Sequence, residues 1–174
     1  MLNILHDIER ELPTLLLSAE GWRSLDVDYH PPRVERVYRD HGSHRISLHV
    51  IHPCGPEDAL FHPHPWPSAM RVLSGDYEMT VGAGAGNTPP PHVLTLRVGG
   101  CFEYEMTHPD GWHRVRAIGV PAVTVMVSGP PWQRWSPGSD APLGPLSPQR
   151  VNEILSTFRE HYPVVSHACL AGLR

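Results

Sequence analysis

FHPHPWPSAMRVLSG, residues 61–75, sets His62 and His64 one residue apart at the head of an apolar run that ends in Gly75. Successive side chains of a β-strand point to opposite faces, so an H-x-H pair on a strand aims both imidazoles to one side. Two convergent neutral imidazoles are the start of a transition-metal site. The chain carries 13 histidines in 174 residues, so about one H-x-H pair arises by chance and the surroundings must decide.

The surroundings read as β structure. From Val34 to Trp135 the apolar pattern has period two: HRISLHVIH puts Ile46, Leu48 and Val50 on one face, and AMRVLS, YEMTV, HVLTLRV, CFEYEM, HRVRAIG and AVTVMVS follow. Short β-rich runs broken by Gly and Pro predict an all-β sandwich or barrel. No helical period intervenes, which excludes an alternating α/β sheet. GAGAGNTPPP, residues 82–91, lacks the lysine of a phosphate loop and runs into prolines where a helix would have to start. It is read as a long hairpin loop.

Helices are predicted only at the two ends. Ile4, Leu5, Ile8, Leu12, Leu15 and Leu16 recur at helical spacing within the first 20 residues, with Pro13 expected to kink or split the helix. A Pro-rich strap over residues 129–148 leads to Ser147 as N-cap and Pro148 at the first helical position, with Val151, Ile154, Leu155 and Phe158 as the buried stripe. The expected organisation is one domain: an N-terminal helical segment (1–30), a barrel (31–135), then the strap and C-terminal helix (136–174).

Composition removes several function classes. The apolar fraction is 40%, the charged fraction 18% and the net charge −4, with no basic block to neutralise phosphates, so no nucleic-acid partner is expected. Every basic residue is arginine, which excludes Schiff-base chemistry, pyridoxal phosphate attachment and the P-loop. Cys54, Cys101 and Cys169 lie far apart, an odd set without C-x-x-C, and the N-terminus has neither a basic leader nor a long apolar run. Reduced thiols, a cytoplasmic location and no membrane association are the expectation.

An all-β barrel with H-x-H, a glycine eleven residues after His64 and a further His on a later strand resembles the cupin superfamily. The first cupin motif is H-x-H, three or four residues, Glu, six residues, Gly; His62, His64 and Gly75 fall into its register, and Ser68 stands at the Glu position. The second motif supplies one more His, matched by His113 in HPDGWHRV, with Pro109 and Gly111 each one residue closer than usual and Ala117 at the customary Asn. HPHPW, RVLSG, a later His and VSGPPWQRW also resemble a group of small cupin-like proteins, over about residues 44–135. That resemblance implies a double-stranded β-helix, often a homodimer, and His62, His64 and His113 as ligands of a divalent transition metal (Fe, Ni or Zn). His108, five residues before His113, is the rival third ligand.

Strand parity then sketches a pocket. If His62 and His64 face inward, so do Trp66, Ser68 and Met70, whereas Pro63, Pro65 and Arg71 face out. His113 faces in with Val115 and Ala117; Arg114 and Arg116 face out. Glu103 and Glu105 share the opposite side from Phe102, Tyr104 and Met106 and are read as solvent-facing. His44 and His52 share the apolar face of their strand and are candidate hydrogen-bonding partners of the ligating rings. His6, His30, His41, His92, His161 and His167 are read as surface residues. Three imidazoles bring no carboxylate, so a bound ion keeps its full charge and favours small, anionic, chelating molecules. The implied activity is a mononuclear metal-dependent enzyme, of the dioxygenase type; the alternative is a non-catalytic cupin that binds a small molecule or serves only as structure.

Overall fold

The computed structural model describes residues 1–133, 138–139 and 142–164; Trp135, His167 and Cys169 lie outside them. Helix α1 (Leu2–Leu15) runs unbroken through Pro13 and ends two residues later. A proline there removes one hydrogen bond in the last turn, so termination rather than a break is the result. Leu5, Ile8, Leu12 and Leu16 are its buried stripe.

Eight strands follow: β1 (Arg23–Val27), β2 (Val34–His41), β3 (His44–Ile51), β4 (His62–Pro63), β5 (Ser68–Ala83), β6 (Val93–Val98), β7 (Glu103–Met106) and β8 (Gly111–Ser128). The sheet path is β1-β2-β3-β8-β5-β6, with β4 paired to β8 and β7 paired to β5; every pairing between them is antiparallel. Strand β1 lies inside the segment whose sequence signals a helix, because RSLDV is short and only its last residue is fully buried. β5 and β6 form a hairpin across the Gly- and Pro-rich loop.

β5 and β8 are long enough to serve both halves of the molecule, and β5 bends at Gly75. The pairing with β8 shifts register on either side of Ser74, and Gly75 has φ +86°. A Cβ at this position would lie 2.9 Å from the Ala122 Cα and 3.0 Å from the Pro121 carbonyl oxygen. Both the left-handed backbone and the strand crossing beneath it require glycine.

Two apolar clusters lie on opposite faces of the sheet. Leu5, Ile8 and Leu12 of α1 and Ile154, Leu155 and Phe158 of helix α2 (Pro148–His161) pack on Val37, Ile46, Leu48, Val125 and Val127. The interior cluster holds Ile51, Met70, Val72, Tyr77, Met79, Ala117, Ala122 and Met126. α2 begins where expected: the Ser147 hydroxyl accepts from the Arg150 N–H, and Pro148 opens the helix. Buried Glu35 of β2 clamps α2 to the sheet through Arg150 at 2.7 and 2.8 Å and takes His52 at 2.9 Å.

Glu105 is exposed as expected and Glu103 is half-buried, and both are paired. Glu103 contacts His6 and Arg71, and Glu105 accepts from the terminal amine at 2.8 Å and from the Leu2 N–H at 2.9 Å. Arg71 adds a bidentate pair with Glu9 at 2.6 and 2.8 Å. These carboxylates hold α1 against β5 and β7. No helix among the described residues is long and apolar enough to cross a membrane.

Candidate metal and ligand pocket

Three imidazoles from two short-range motifs meet at one end of the barrel. β4 pairs with β8 so that His62 lies directly across from His113, and the His64 N–H donates to the Gly111 carbonyl at 3.0 Å, extending the same edge. The His113 ring centroid is 4.7 Å from that of His62 and 4.6 Å from that of His64. Trp112, 1% exposed, anchors this end of β8 by packing on Phe61 and donating its indole N–H to the Gly84 carbonyl at 2.9 Å.

Tautomers follow from the hydrogen bonds. His62 donates from Nδ1 to the Leu60 carbonyl at 3.0 Å, and His64 from Nδ1 to the Trp66 carbonyl at 2.7 Å, which leaves each Nε2 a free lone pair. Among the described residues, His113 has no partner at its buried Nδ1. Burial is the chief cause that pushes the His62 and His64 values down to about 4 and that of His113 well below the ordinary imidazole range. All three are neutral at pH 7, the form that binds a metal ion. In donor type and charge, and for His62 and His64 in tautomer, these residues fit a divalent transition metal. His113 stands between the other two rings, and among the described residues no three His, Cys, Asp or Glu donors close around a single point.

The rings open onto a cavity of about 170 Å³. Its walls include Trp66, Met70, Val115, Met126 and Leu143, the last from the strap. Ser68 is not on the wall; it lies behind His64, with its hydroxyl 3.4 Å from Nδ1. Pro65 is on the wall, against the parity expectation, because β4 ends at Pro63 and regular alternation resumes only at Ser68. His108 sits on an exposed turn away from the cavity, bonded to the Asp110 N–H at 3.2 Å.

Several wall residues carry no local signal in the sequence. Arg36, from β2, is the cavity's arginine, and no Asp or Glu lines it among the described residues. Arg36 donates from Nε to His49 Nε2 at 3.0 Å, and Thr124 Oγ1 lies 3.4 Å from His49 Nδ1. Tyr29 and His30 approach from the loop before β2, with the His30 ring 6.2 Å from that of His62. His30, read from the sequence as a surface residue, lines the pocket while staying half-exposed. The second-layer expectation for His44 and His52 is also corrected: the apolar face they share is the helix-facing one, and His49 on the opposite face lines the cavity.

No protein-family model matches the chain, and no curated protein matches it. Among solved structures it is similar to hydroxypropylphosphonic acid epoxidase from S. wedmorenis (TM-score 0.52, 14% identity, 64% of this chain and 56% of that one). It is also similar to FeII HppE (TM-score 0.51, 16% identity, 64% and 57%) and to FeII HppE in complex with substrate (TM-score 0.52, 13% identity, 64% and 58%). The match spans little more than half the length of those chains. At such identities the likeness is one of architecture. By fold, this is a cupin-like antiparallel β protein with a helix at either end.

Proposed function

We propose that this chain is a metal-dependent enzyme acting on a small, anionic, chelating molecule, with His62, His64 and His113 as the ligands of a divalent transition ion. The observation that carries the reading is the meeting of three neutral imidazoles at an apolar cavity whose lining includes Arg36 and, among the described residues, no carboxylate. A divalent ion such as iron, nickel or zinc supplies Lewis acidity there and, if iron, one-electron chemistry. FeII in the architecturally similar epoxidase supports an ion of this type.

The chain's own groups define the remainder of the site. The Leu60 and Trp66 carbonyls hold the rings of His62 and His64 by their Nδ1 protons and so keep Nε2 directed away from the backbone. Arg36 supplies the positive charge for a substrate carboxylate, and no Asp or Glu of the described residues pairs with it. Trp66, Met70 and Met126 make the cavity wall largely apolar, which strengthens the attraction between Arg36 and an anion. Dioxygenase chemistry is the reaction type this arrangement serves best.

A non-catalytic, small-molecule-binding cupin is the second reading, favoured by the absence of a closed three-donor set among the described residues. Elemental analysis of protein purified without an affinity tag separates them. The enzyme reading expects about one divalent transition ion per chain and, with a redox-active ion, oxygen uptake with a thiol-carboxylate or enolisable diketone. Protein that carries no such ion and takes none up on titration with Fe(II), Ni(II) or Zn(II) leaves only the binding reading.

A further inference from the structure

We propose that His49 is a positioning residue that orients the Arg36 guanidinium for one face of the pocket ligand, which makes that ligand's second anchoring group a planar carboxylate. The inference rests on the reading of the pocket as an anion site. Its geometry is independent of any metal.

Arg36, His49 and Thr124 are cross-strand neighbours on β2, β3 and β8: Arg36 pairs in register with His49, and His49 with Thr124. His49 and Thr124 are 3% and 0% exposed, so bulk solvent reaches neither side chain. The guanidinium has only donors, so the 3.0 Å contact from Arg36 Nε makes His49 Nε2 the acceptor. The imidazole proton then sits on Nδ1, facing the Thr124 hydroxyl oxygen at 3.4 Å. A protonated imidazole, or one with its proton on Nε2, would set N–H against N–H and break the contact with Arg36. Burial, the leading cause, and the positive charge of Arg36 hold His49 well below its ordinary value, which keeps the ring neutral and able to accept.

This contact has a consequence for recognition. It occupies Nε and leaves the Nη1 and Nη2 edge of Arg36, for which no acceptor occurs among the described residues. That edge presents parallel N–H groups at the spacing of carboxylate oxygens, so it favours a bidentate oxyanion over a neutral carbonyl or hydroxyl. A lysine at position 36 would keep the charge and lose both the fork and the bond to His49. A free arginine would spread its orientations; the buried His49 and Thr124 select one.

Two measurements test the inference. Long-range proton–nitrogen NMR of the metal-free full chain at pH 7 is expected to show His49 neutral with its proton on Nδ1; a proton on Nε2 overturns the proposal, whatever binds the other histidines. Co(II)-loaded protein is then titrated with thioglycolate and with methyl thioglycolate, following the cobalt spectrum. Wild type is expected to prefer the acid by about tenfold or more, the worth of one charge-assisted pair. His49→Leu is expected to lose most of that preference with cobalt content and ester affinity unchanged. His49→Gln, whose side-chain oxygen also accepts from Arg36 Nε, recovers it, and Thr124→Val, nearly isosteric, lowers it by about threefold. An undiminished preference in His49→Leu, or in Thr124→Val should the leucine variant not fold, sinks the positioning role and leaves the anion site standing. Equal loss of cobalt, acid and ester marks His49 as merely structural and also overturns it. Wild type that does not distinguish acid from ester, with the Nδ1 tautomer in place, overturns the anion-site reading itself.

Discussion

The two faces of β3 are built from alternate residues of one strand and do different work. Ile46, Leu48 and Val50 pack against α1 and α2 in a cluster of apolar side chains. Ser47, His49 and Ile51 face the other way, toward Arg36, Thr124 and the cavity whose lining includes four more histidines. The helix-facing side removes apolar area from water, the main source of folding free energy. The pocket side buries imidazoles, one with an unpartnered nitrogen, which costs free energy unless something outside the chain binds there. A strand that stabilises with one face and tolerates that cost on the other is how a fold carries a site.

The largest effect expected from this contrast is on the helix side. Leu48, 0% exposed, cannot be shortened to alanine without a cavity, and Leu48→Ala is expected to lower stability in urea by about 2–5 kcal/mol. Folded Leu48→Ala protein is expected to bind metal as wild type does; loss of both together would mean that the two faces are not separable.

Next is the acid sensitivity of the clamp between α2 and the sheet. The Arg150 guanidinium, with help from His52 and against the cost of burial, holds the Glu35 carboxyl down to about 2 from 4.5. A carboxyl depressed in the folded state contributes its stability fully above pH 4.5 and loses it as pH falls through the folded value. The amount is about 3 kcal/mol. Denaturation curves recorded between pH 5 and pH 2 are expected to show this loss in wild type and a shallower one in Glu35→Gln. Parallel curves would show that the clamp is not what acid releases.

On the pocket side the order reverses, with metal binding lost and stability nearly kept. Replacing His62, His64 or His113 singly by alanine is expected to remove most bound transition metal by elemental analysis. Stability is expected to change by no more than about 1 kcal/mol for His113→Ala, because lost packing is offset by removal of an unpartnered buried nitrogen. A variant that unfolds instead would place that histidine with the structural face.

The smallest effect is none. His108 is exposed on its turn and His161 closes α2, so His108→Ala and His161→Ala are expected to leave metal content unchanged. Metal lost from His108→Ala and retained in His113→Ala would transfer the third ligand to His108 and break the proposed cluster.

The period of the apolar residues determined the strands without tertiary information, because alternation is a property of the extended backbone itself. The N-cap Ser147, the proline after it and the apolar stripe of α2 were legible for the same local reason. Gly75 entered only through its place in the cupin-like motif, and the crossing of β8 beneath it shows why a Cβ has no room. Which face of a strand is the inside was not legible. Two apolar layers compete for the sheet, and HRISLHVIH reads equally well with either face toward the barrel; the docking of α1 and α2 on Ile46, Leu48 and Val50 is what turns His49 inward and His44 and His52 away. Arg36 escaped notice and His30 was read as a surface residue because they reach the cavity through β2 and the loop before it, far in sequence from His62, where no spacing rule connects them. The two-residue length of β4 was likewise invisible, and it broke the parity that put Ser68 on the wall and left Pro65 off it. Local periodicity specifies what a residue's neighbours along the strand do; only the packed sheet decides what they face.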